Sequence, residues 1–376
     1  MVSHCSLILN MILRHVKNYS LMRWIKLRVR IKNMLKTTLR LLLYPLSFLY
    51  GLITTLRNYL YDTNNFNVNK LPCKVISIGN ITTGGSGKTP TVEFLALHLQ
   101  SIGKNVGIIS RGYGRSSKHV KLVTDGIDKP NSWEQYGDEA FLLSQNLNSI
   151  PIVVGESKYE AGLRITSEFD LDVIIIDDGF QHRSLHRDLD IVLINSKDNK
   201  RTHKILPIGN LRERINGLKR ADLIIYTKTN VHNNLGYLNR LLKNVNVEKI
   251  NSVLEPKSML IGKDKQEIDK ANLKSKNIYL LSAIGDNKGF KKTVEKIGAN
   301  IVGQSKFLDH YKFKTSDLQK VQNDAKKFSA NYIITTEKDL VKIPDINPKI
   351  PVYALKTKMH FSPDNKLEDK INSLFI

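Results

Sequence analysis

Residues 77–90, SIGNITTGGSGKTP, constrain this chain more than any other stretch. Gly87, Lys88 and Thr89 close a phosphate-binding loop of the form G-x-x-x-x-G-K-[ST], whose first glycine would fall at position 82, where Thr82 stands. KVISI (74–78) before the loop reads as a strand, and TVEFLALHLQSIG after it reads as a helix capped at Gly103. This strand–loop–helix setting is what such a loop requires. Gly84, Gly85 and Gly87 let backbone N–H groups turn inward without a clashing Cβ, and the helix N-terminus adds a positive field where a phosphate would sit. The candidate cradle is therefore Thr82, Thr83, Gly84, Gly85, Ser86, Gly87, Lys88 and Thr89. Lys88 would reach the β and γ phosphates, and Thr89 would offer its hydroxyl to Mg²⁺. Thr82 is tolerated at the glycine position provided its φ is negative.

The chain beyond residue 70 alternates short apolar runs with helical stretches. NVGIIS, IPIVVG, LDVIIID, DLDIVLIN and ADLIIYT are continuously apolar, so as strands they would be buried on both faces. The pattern predicts an α/β fold of the P-loop kinase type, with a mostly parallel sheet and helices on both sides. A less regular stretch, rich in Asn and Lys, covers 231–275. After it NIYLLSA, ANIVG, NYIITT and PVYALK resume the alternation. The expected organisation is an N-terminal segment 1–60, a nucleotide-binding core 61–255 and a smaller α/β domain 256–376 that closes a cleft. LDVIIIDDGFQH places Asp177 and Asp178 after a buried strand, at the same end of the sheet as the loop. Mg²⁺ takes one or two carboxylates together with waters and phosphate oxygens, so either acid is a candidate metal ligand.

The 376 residues carry a net charge of +23. Ten Lys or Arg and no Asp or Glu fall within residues 1–60, nine of them between Arg14 and Arg40. An uncharged run, LLLYPLSFLYGLITTL (41–56), follows. At about 1.5 Å per residue it is short of the roughly 20 residues that span a bilayer, and Pro45 and Gly51 weaken it as one straight helix. A basic stretch beside an apolar, aromatic-rich one suits a segment lying in a membrane interface, the alternative being a buried helix docked on the domain. Nucleic-acid binding would instead interleave aromatic and basic residues. Cys5 and Cys73 show neither metal nor disulfide spacing, which makes a reducing cytosolic setting the default.

Two rival classes stay open on spacing alone. TKTN (227–230) is close to the guanine-reading [NT]-K-x-D motif of a GTPase, although Asn230 lacks the carboxylate that pairs with the guanine edge. GGSGKT is also close to the loop of partitioning-type ATPases. A kinase needs a base for an acceptor hydroxyl. Asp138 and Glu139 in QYGDEAF, and Asp309 and His310 in FLDHYKF, are candidates if the fold brings them together.

In order along most of the chain, LLLYPLSFLYGLITTLRNYLYD, SIGNITTGGSGKTP, SRGYGR, GDEA, DDGFQHRSLHRDLDIVLIN, ILPIGNLRE, LDHYKF and TTEKDLVK closely resemble the tetraacyldisaccharide 4′-kinase family. Thr in place of the first loop glycine is itself a habit of that family. Residues 1 to about 30 extend beyond the family's usual start, which makes Met22 an alternative start. Ala140 and Asn210 depart from prolines frequent at those positions. The resemblance implies transfer of the γ-phosphate of ATP, with Mg²⁺, to the 4′-hydroxyl of a tetraacyl disaccharide 1-phosphate, giving lipid IV-A on the way to lipid A. It implies Lys88 and Thr89 on the nucleotide phosphates and metal, Asp177 and Asp178 as the acids that end the strand, and Asp138 as base with His310 as partner. It further implies Arg212 and Glu213 near the phosphates and metal, and Arg111 toward the anionic substrate. The partners implied are the lipid and the cytoplasmic face of the inner membrane, with no nucleic acid and no protein partner.

Overall fold

The computed structural model describes residues 43–263, 266–345 and 347–376. The basic stretch Arg14–Arg40 and the first two residues of the apolar run lie outside the described residues. The rest of that run belongs to a helix, α1, spanning 43–62. It continues unbroken past Pro45 and Gly51, because its small and polar face is seated on the body. Ser47 Oγ donates to the Ile205 carbonyl at 2.9 Å, the Tyr50 hydroxyl donates to the Arg212 carbonyl at 3.0 Å, and Asn58 Nδ2 donates to Glu213 Oε2 at 2.7 Å. Among the described residues, no helix is long and apolar enough to cross a membrane.

After α1 come β1 (Lys74–Asn80), α2 (Lys88–Ser101), β2 (Val106–Ser110), β3 (Lys121–Thr124), α3 (Asp138–Asn146), β4 (Ile152–Val154), α4 (Lys158–Glu168), β5 (Val173–Asp177), β6 (Leu189–Asn195) and β7 (Leu223–Thr227). The apolar runs are these strands, and β2, β4, β5, β6 and β7 are buried along their whole length. Then follow α5 (Leu235–Leu241), β8 (Glu248–Gly262), β9 (Glu267–Asp269), β10 (Asn277–Ser282), α6 (Asn287–Glu295), β11 (Asn300–Lys306), α7 (Thr315–Lys327), β12 (Tyr332–Thr336), α8 (Glu337–Leu340), β13 (Val352–Ser362) and α9 (Asp364–Asn372).

The strands described form one sheet in the order β11-β10-β12-β13-β8-β7-β6-β1-β5-β2-β4-β3, with β9 paired to β8. β1 lies between β5 and β6 and is parallel to both. The chain runs outward from β1 in both directions, and the carboxyl ends of strands at such a reversal are where open α/β sheets bind ligands. The expected mostly parallel sheet is therefore present. The stretch 231–275 is not irregular, however. It holds α5, β9 and the 15-residue strand β8. β8 starts parallel to β7 and continues as an antiparallel ribbon with β13, and its half-exposed residues hide the strand pattern. Residue 255, the expected domain boundary, lies inside β8. The C-terminal end of β13 and α9 return to the first half, where Met359, Phe361, Leu367 and Ile371 join the core around β1 and α2.

Candidate active site

The loop after β1 follows from its residue types. Gly84 (φ 116°) and Gly87 (φ 90°) occupy left-handed backbone that other residues rarely adopt. The loop is fastened from three strand ends. Asn80 Nδ2 donates to Ser86 Oγ at 3.0 Å, Asn195 Nδ2 donates to the Gly85 carbonyl at 2.8 Å, and Thr227 Oγ1 donates to the Ser86 carbonyl at 2.7 Å. These contacts leave the N–H groups at the start of α2 facing a cavity of about 790 Å³ that both halves of the sheet line. Thr83, Gly84, Gly85, Ser86, Gly87, Lys88 and Thr89 line it. Thr82 does not: it has no positive φ, and its buried hydroxyl is directed away from the cavity to Asp198. It is thus corrected out of the cradle's contact set.

Asp177 and Asp178 reach the same cavity from β5, beside β1. Their environments differ. Asp178 sits at φ 59°, a left-handed conformation that turns its carboxylate toward the cations. It lies 3.5 Å from Lys88 Nζ, and Arg212 Nη1 donates to both of its oxygens at 2.9 Å. Burial works against its ionisation, but Lys88 and then Arg212 outweigh burial and hold it down at about 2. Among the described residues, Asp177 accepts only from Ser110 Oγ (3.1 Å), and its Oδ1 is buried without a partner. Burial, reinforced by the Glu139 charge, pushes Asp177 up to about 6. A carboxylate with an orphaned oxygen, on a cavity that Thr89 also lines, suits a divalent cation completed by phosphate oxygens and water. Among the described residues there is no cluster of three or more His, Cys, Asp or Glu able to hold a metal alone.

Glu213, expected among the metal ligands, is fully committed elsewhere. It is buried; Arg220 donates to both of its oxygens at 2.7 Å, Gln181 donates at 2.9 Å and Asn58 at 2.7 Å. It does not line the cavity. Its role in the fold is to fasten α1 and the turn after β5 beneath the site, while its neighbour Arg212 faces the acids.

Asp138 and His310, 172 residues apart, meet. His310 Nδ1 lies 2.9 Å from Asp138 Oδ2. The ionised carboxylate accepts, so Nδ1 carries the proton and Nε2 takes the opposite role, receiving Lys338 Nζ at 3.3 Å. Burial would raise the Asp138 carboxyl, but the His310 hydrogen bond and the Lys338 and Lys342 charges bring it below the usual range. Asp138 is 2% exposed and does not line the cavity; His310 does. Glu139 pairs with Lys338 at 2.9 Å, and the Tyr113 ring packs 4.6 Å from the His310 ring. Arg111, from the same loop as Tyr113, also lines the cavity.

The sequence did not single out several groups on these walls. Lys228 Nζ donates to the Gly85 carbonyl (3.3 Å) and to Asp286 Oδ2 (3.1 Å). Asp286, just before α6, also pairs with His232 at 3.0 Å. Gly285 comes so close that a Cβ there would lie 3.1 Å from the Gly85 nitrogen. Behind these walls Lys158, which does not line the cavity, is buried near Asp177 and Asp178; among the described residues its Nζ has no hydrogen-bond partner, and burial pushes it down to about 8. Lys228 lies in TKTN, a stretch visible in the sequence, but the contacts of Asp286, Gly285 and Lys158 depend on folding. The same stretch weakens the GTPase reading. Asn230 donates to the Leu254 carbonyl (2.9 Å) and accepts from the Leu254 amide (3.1 Å), which leaves its amide committed to the backbone.

Residues 39–375 match the family described as Tetraacyldisaccharide-1-P 4′-kinase. A Bdellovibrio bacteriovorus protein named tetraacyldisaccharide 4′-kinase is 37% identical over 308 residues, which is 81% of this chain and 90% of the relative. Its Aquifex aeolicus namesake is 35% identical over 337 residues, 90% of this chain and 99% of the relative. A crystal structure of the "apo" form of LpxK from Aquifex aeolicus in complex with ATP superposes with a TM-score of 0.74 at 35% identity, covering 90% of this chain and 100% of that one.

Proposed function

The chain belongs to the tetraacyldisaccharide-1-P 4′-kinase family, and from that premise we propose that it transfers the γ-phosphate of ATP to the 4′-hydroxyl of a tetraacyl disaccharide 1-phosphate, giving lipid IV-A and ADP. The single observation that carries this reading is the shared cavity. The phosphate loop with Lys88, the Asp177–Asp178 pair, Arg212 and His310 all line it, with Asp138 bonded behind His310, so donor and acceptor chemistry converge on one space.

ATP lies with its phosphates on the amides of Gly84 to Thr89 and on Lys88. Asp177 and Thr89 would hold Mg²⁺, with Asp178 at hand, and the ion would offset phosphate charge. Arg212, already beside Asp178, adds positive charge where it develops in the transition state. The new bond forms between the 4′-oxygen and the γ-phosphorus as the β–γ bridging bond breaks, and ADP takes the bond's electron pair. The hydroxyl proton passes to the histidine. His310 is the member of the pair on the cavity, so it receives that proton at Nε2, while buried Asp138 orients the ring and stabilises the imidazolium. This exchanges the roles that the family resemblance implied. Lys338, which now donates to Nε2, moves aside as the acceptor enters. The wall of α6 and β12–α8 restricts water, which a kinase must exclude to avoid hydrolysis. In this sense the second half, from about residue 256, acts as the closing part of the cleft.

α1 supports work at the cytoplasmic face of the inner membrane. Its polar face is on the protein, while Leu46, Phe48, Leu49, Leu52, Ile53 and Leu56 point outward, each more than half exposed. An outward apolar stripe of this kind seeks a lipid interface, and the basic stretch before it favours anionic headgroups. Tyr50 and Arg57 of the same helix line the cavity, so the surface that meets lipid is also next to the chemistry. The deciding experiment incubates purified protein with γ-labelled ATP, Mg²⁺ and the acyl disaccharide 1-phosphate. Label in the lipid is expected; label released only as inorganic phosphate would overturn the reading.

A further inference from the structure

Thr82 stands where a phosphate loop commonly has glycine, and its side chain makes a contact no glycine could. Oγ1 donates to Asp198 Oδ2 at 3.1 Å, with both residues almost sealed from solvent, at 3% and 2% exposure. Asp198 follows β6. Its Oδ2 also lies 3.6 Å from Nε2 of His203, whose Nδ1 is 3.2 Å from the Tyr237 hydroxyl. The Asp198 amide donates to the Asn195 carbonyl, and Asn195 in turn holds the Gly85 carbonyl. The end of β6 therefore grips the loop both at its entrance and near its crown. The segment that follows Asp198 returns to the same entrance, where Thr83 N donates to the Asn210 carbonyl at 2.8 Å and Arg212 N donates to the Ile81 carbonyl at 2.9 Å.

We propose that Asp198 is a positioning residue for phosphoryl transfer. Through the Thr82 hydroxyl it fixes the spacing between the phosphate loop that carries Lys88 and the segment that carries Arg212. Neither Thr82 nor Asp198 lines the cavity, so their action is on the placement of Lys88 and Arg212, which flank Asp178. Phosphoryl transfer depends mainly on positioning and charge stabilisation. Glycine at 82 would leave the buried Asp198 oxygen without its hydroxyl donor and would free the backbone just where the two segments join. The inference rests on the kinase reading above.

The test measures kcat and KM for ATP in the lipid-labelling assay, using the full chain as wild type, Thr82→Val, Thr82→Ser, Asp198→Ala and the double variant Thr82→Val/Asp198→Ala. Thr82→Val and Asp198→Ala are each expected to lower kcat about tenfold or more, since small misplacements of reacting groups carry such costs. KM should stay within roughly twofold, the pattern of an interaction felt in the transition state. Thr82→Ser should recover most of the loss. The double variant should be no slower than the worse single, because both break one link. Multiplicative losses, or a wild-type kcat in Thr82→Val accompanied only by a lower Tm, overturn the proposal. If Asp198→Ala does not fold, Asp198→Asn keeps an acceptor for the hydroxyl; near-wild-type turnover is expected, and a loss equal to that of Thr82→Val counts against the link. Wild-type protein that labels no lipid refutes the kinase reading instead. Amide hydrogen exchange across 82–89 then decides the anchor alone: faster exchange in Thr82→Val supports it and unchanged exchange overturns it.

Discussion

At the scale of single residues, Lys88 and Asp138 separate two kinds of contribution. Lys88 is a cation at the mouth of α2, facing Asp178 on one side and the phosphate position on the other. Lys88→Ala is expected to lower turnover by about 10²–10³-fold, the cost of removing one preorganised charge-stabilising group; steady-state labelling of lipid checks it. Asp138 is buried behind His310 and does not itself line the cavity. Asp138→Asn should cut turnover by about 10²–10⁴-fold, since the base His310 loses the carboxylate that sets its tautomer and orientation, while nucleotide affinity measured by calorimetry changes little. Equal loss of both would point to a helix-start role, since Asp138 opens α3. Lys88 was legible in the sequence because its neighbours in the chain define it. The Asp138–His310 contact was not legible from spacing, since 172 residues separate the partners and each alone reads as an ordinary acid or histidine; only the family resemblance paired them.

At the scale of elements, α1 shows why an apolar run is ambiguous in sequence. The run 41–56 fits a buried helix as well as an interfacial one, and the decision lies in which face the body takes. Here the body takes Ser47, Tyr50, Thr54 and Asn58, and the leucines are left outside. Replacing Phe48 and Ile53 by Glu should lower binding to anionic vesicles by at least about tenfold, as a charged face leaves the interface. Turnover on detergent-dispersed lipid should persist. Vesicle flotation checks the first and the labelling assay the second. Deleting the whole segment is a poorer test, because Asn58 and Tyr50 brace the site. β8 is the opposite case. Its mostly half-exposed residues belong to a ribbon with β13 rather than to a sheet interior, so no apolar run announced it.

At the scale of the whole molecule, the cleft walls bring like charges together. Glu93 of α2 and Glu337 of α8 share the Asn146 side-chain amide, at 3.1 Å and 3.4 Å. Burial, with the Glu93 charge, pushes Glu337 from 4.5 up to about 7, against Lys257 and Lys356. A carboxyl raised on folding adds stability below its unfolded value and loses it as pH rises through its folded one. Wild type and Glu337→Gln should therefore unfold alike near pH 4.5. A gap in Tm favouring Gln, on the order of a few °C, should widen as pH rises from about 4.5 and be complete just above about 7; a gap that does not vary with pH would remove Glu337 from this role. By itself the sequence determined the phosphate loop, the parallel strands, the acids that end β5 and the family, because each is written in contiguous residues whose spacing fixes local geometry. Only the tertiary structure decided that Thr82 and Glu213 lie off the cavity wall, bonded to Asp198 and Arg220, that His310 and not Asp138 lines the cavity, and which side of α1 faces out. Those outcomes depend on partners brought from distant parts of the chain, and a side chain's role follows from which of its neighbours compete for its atoms.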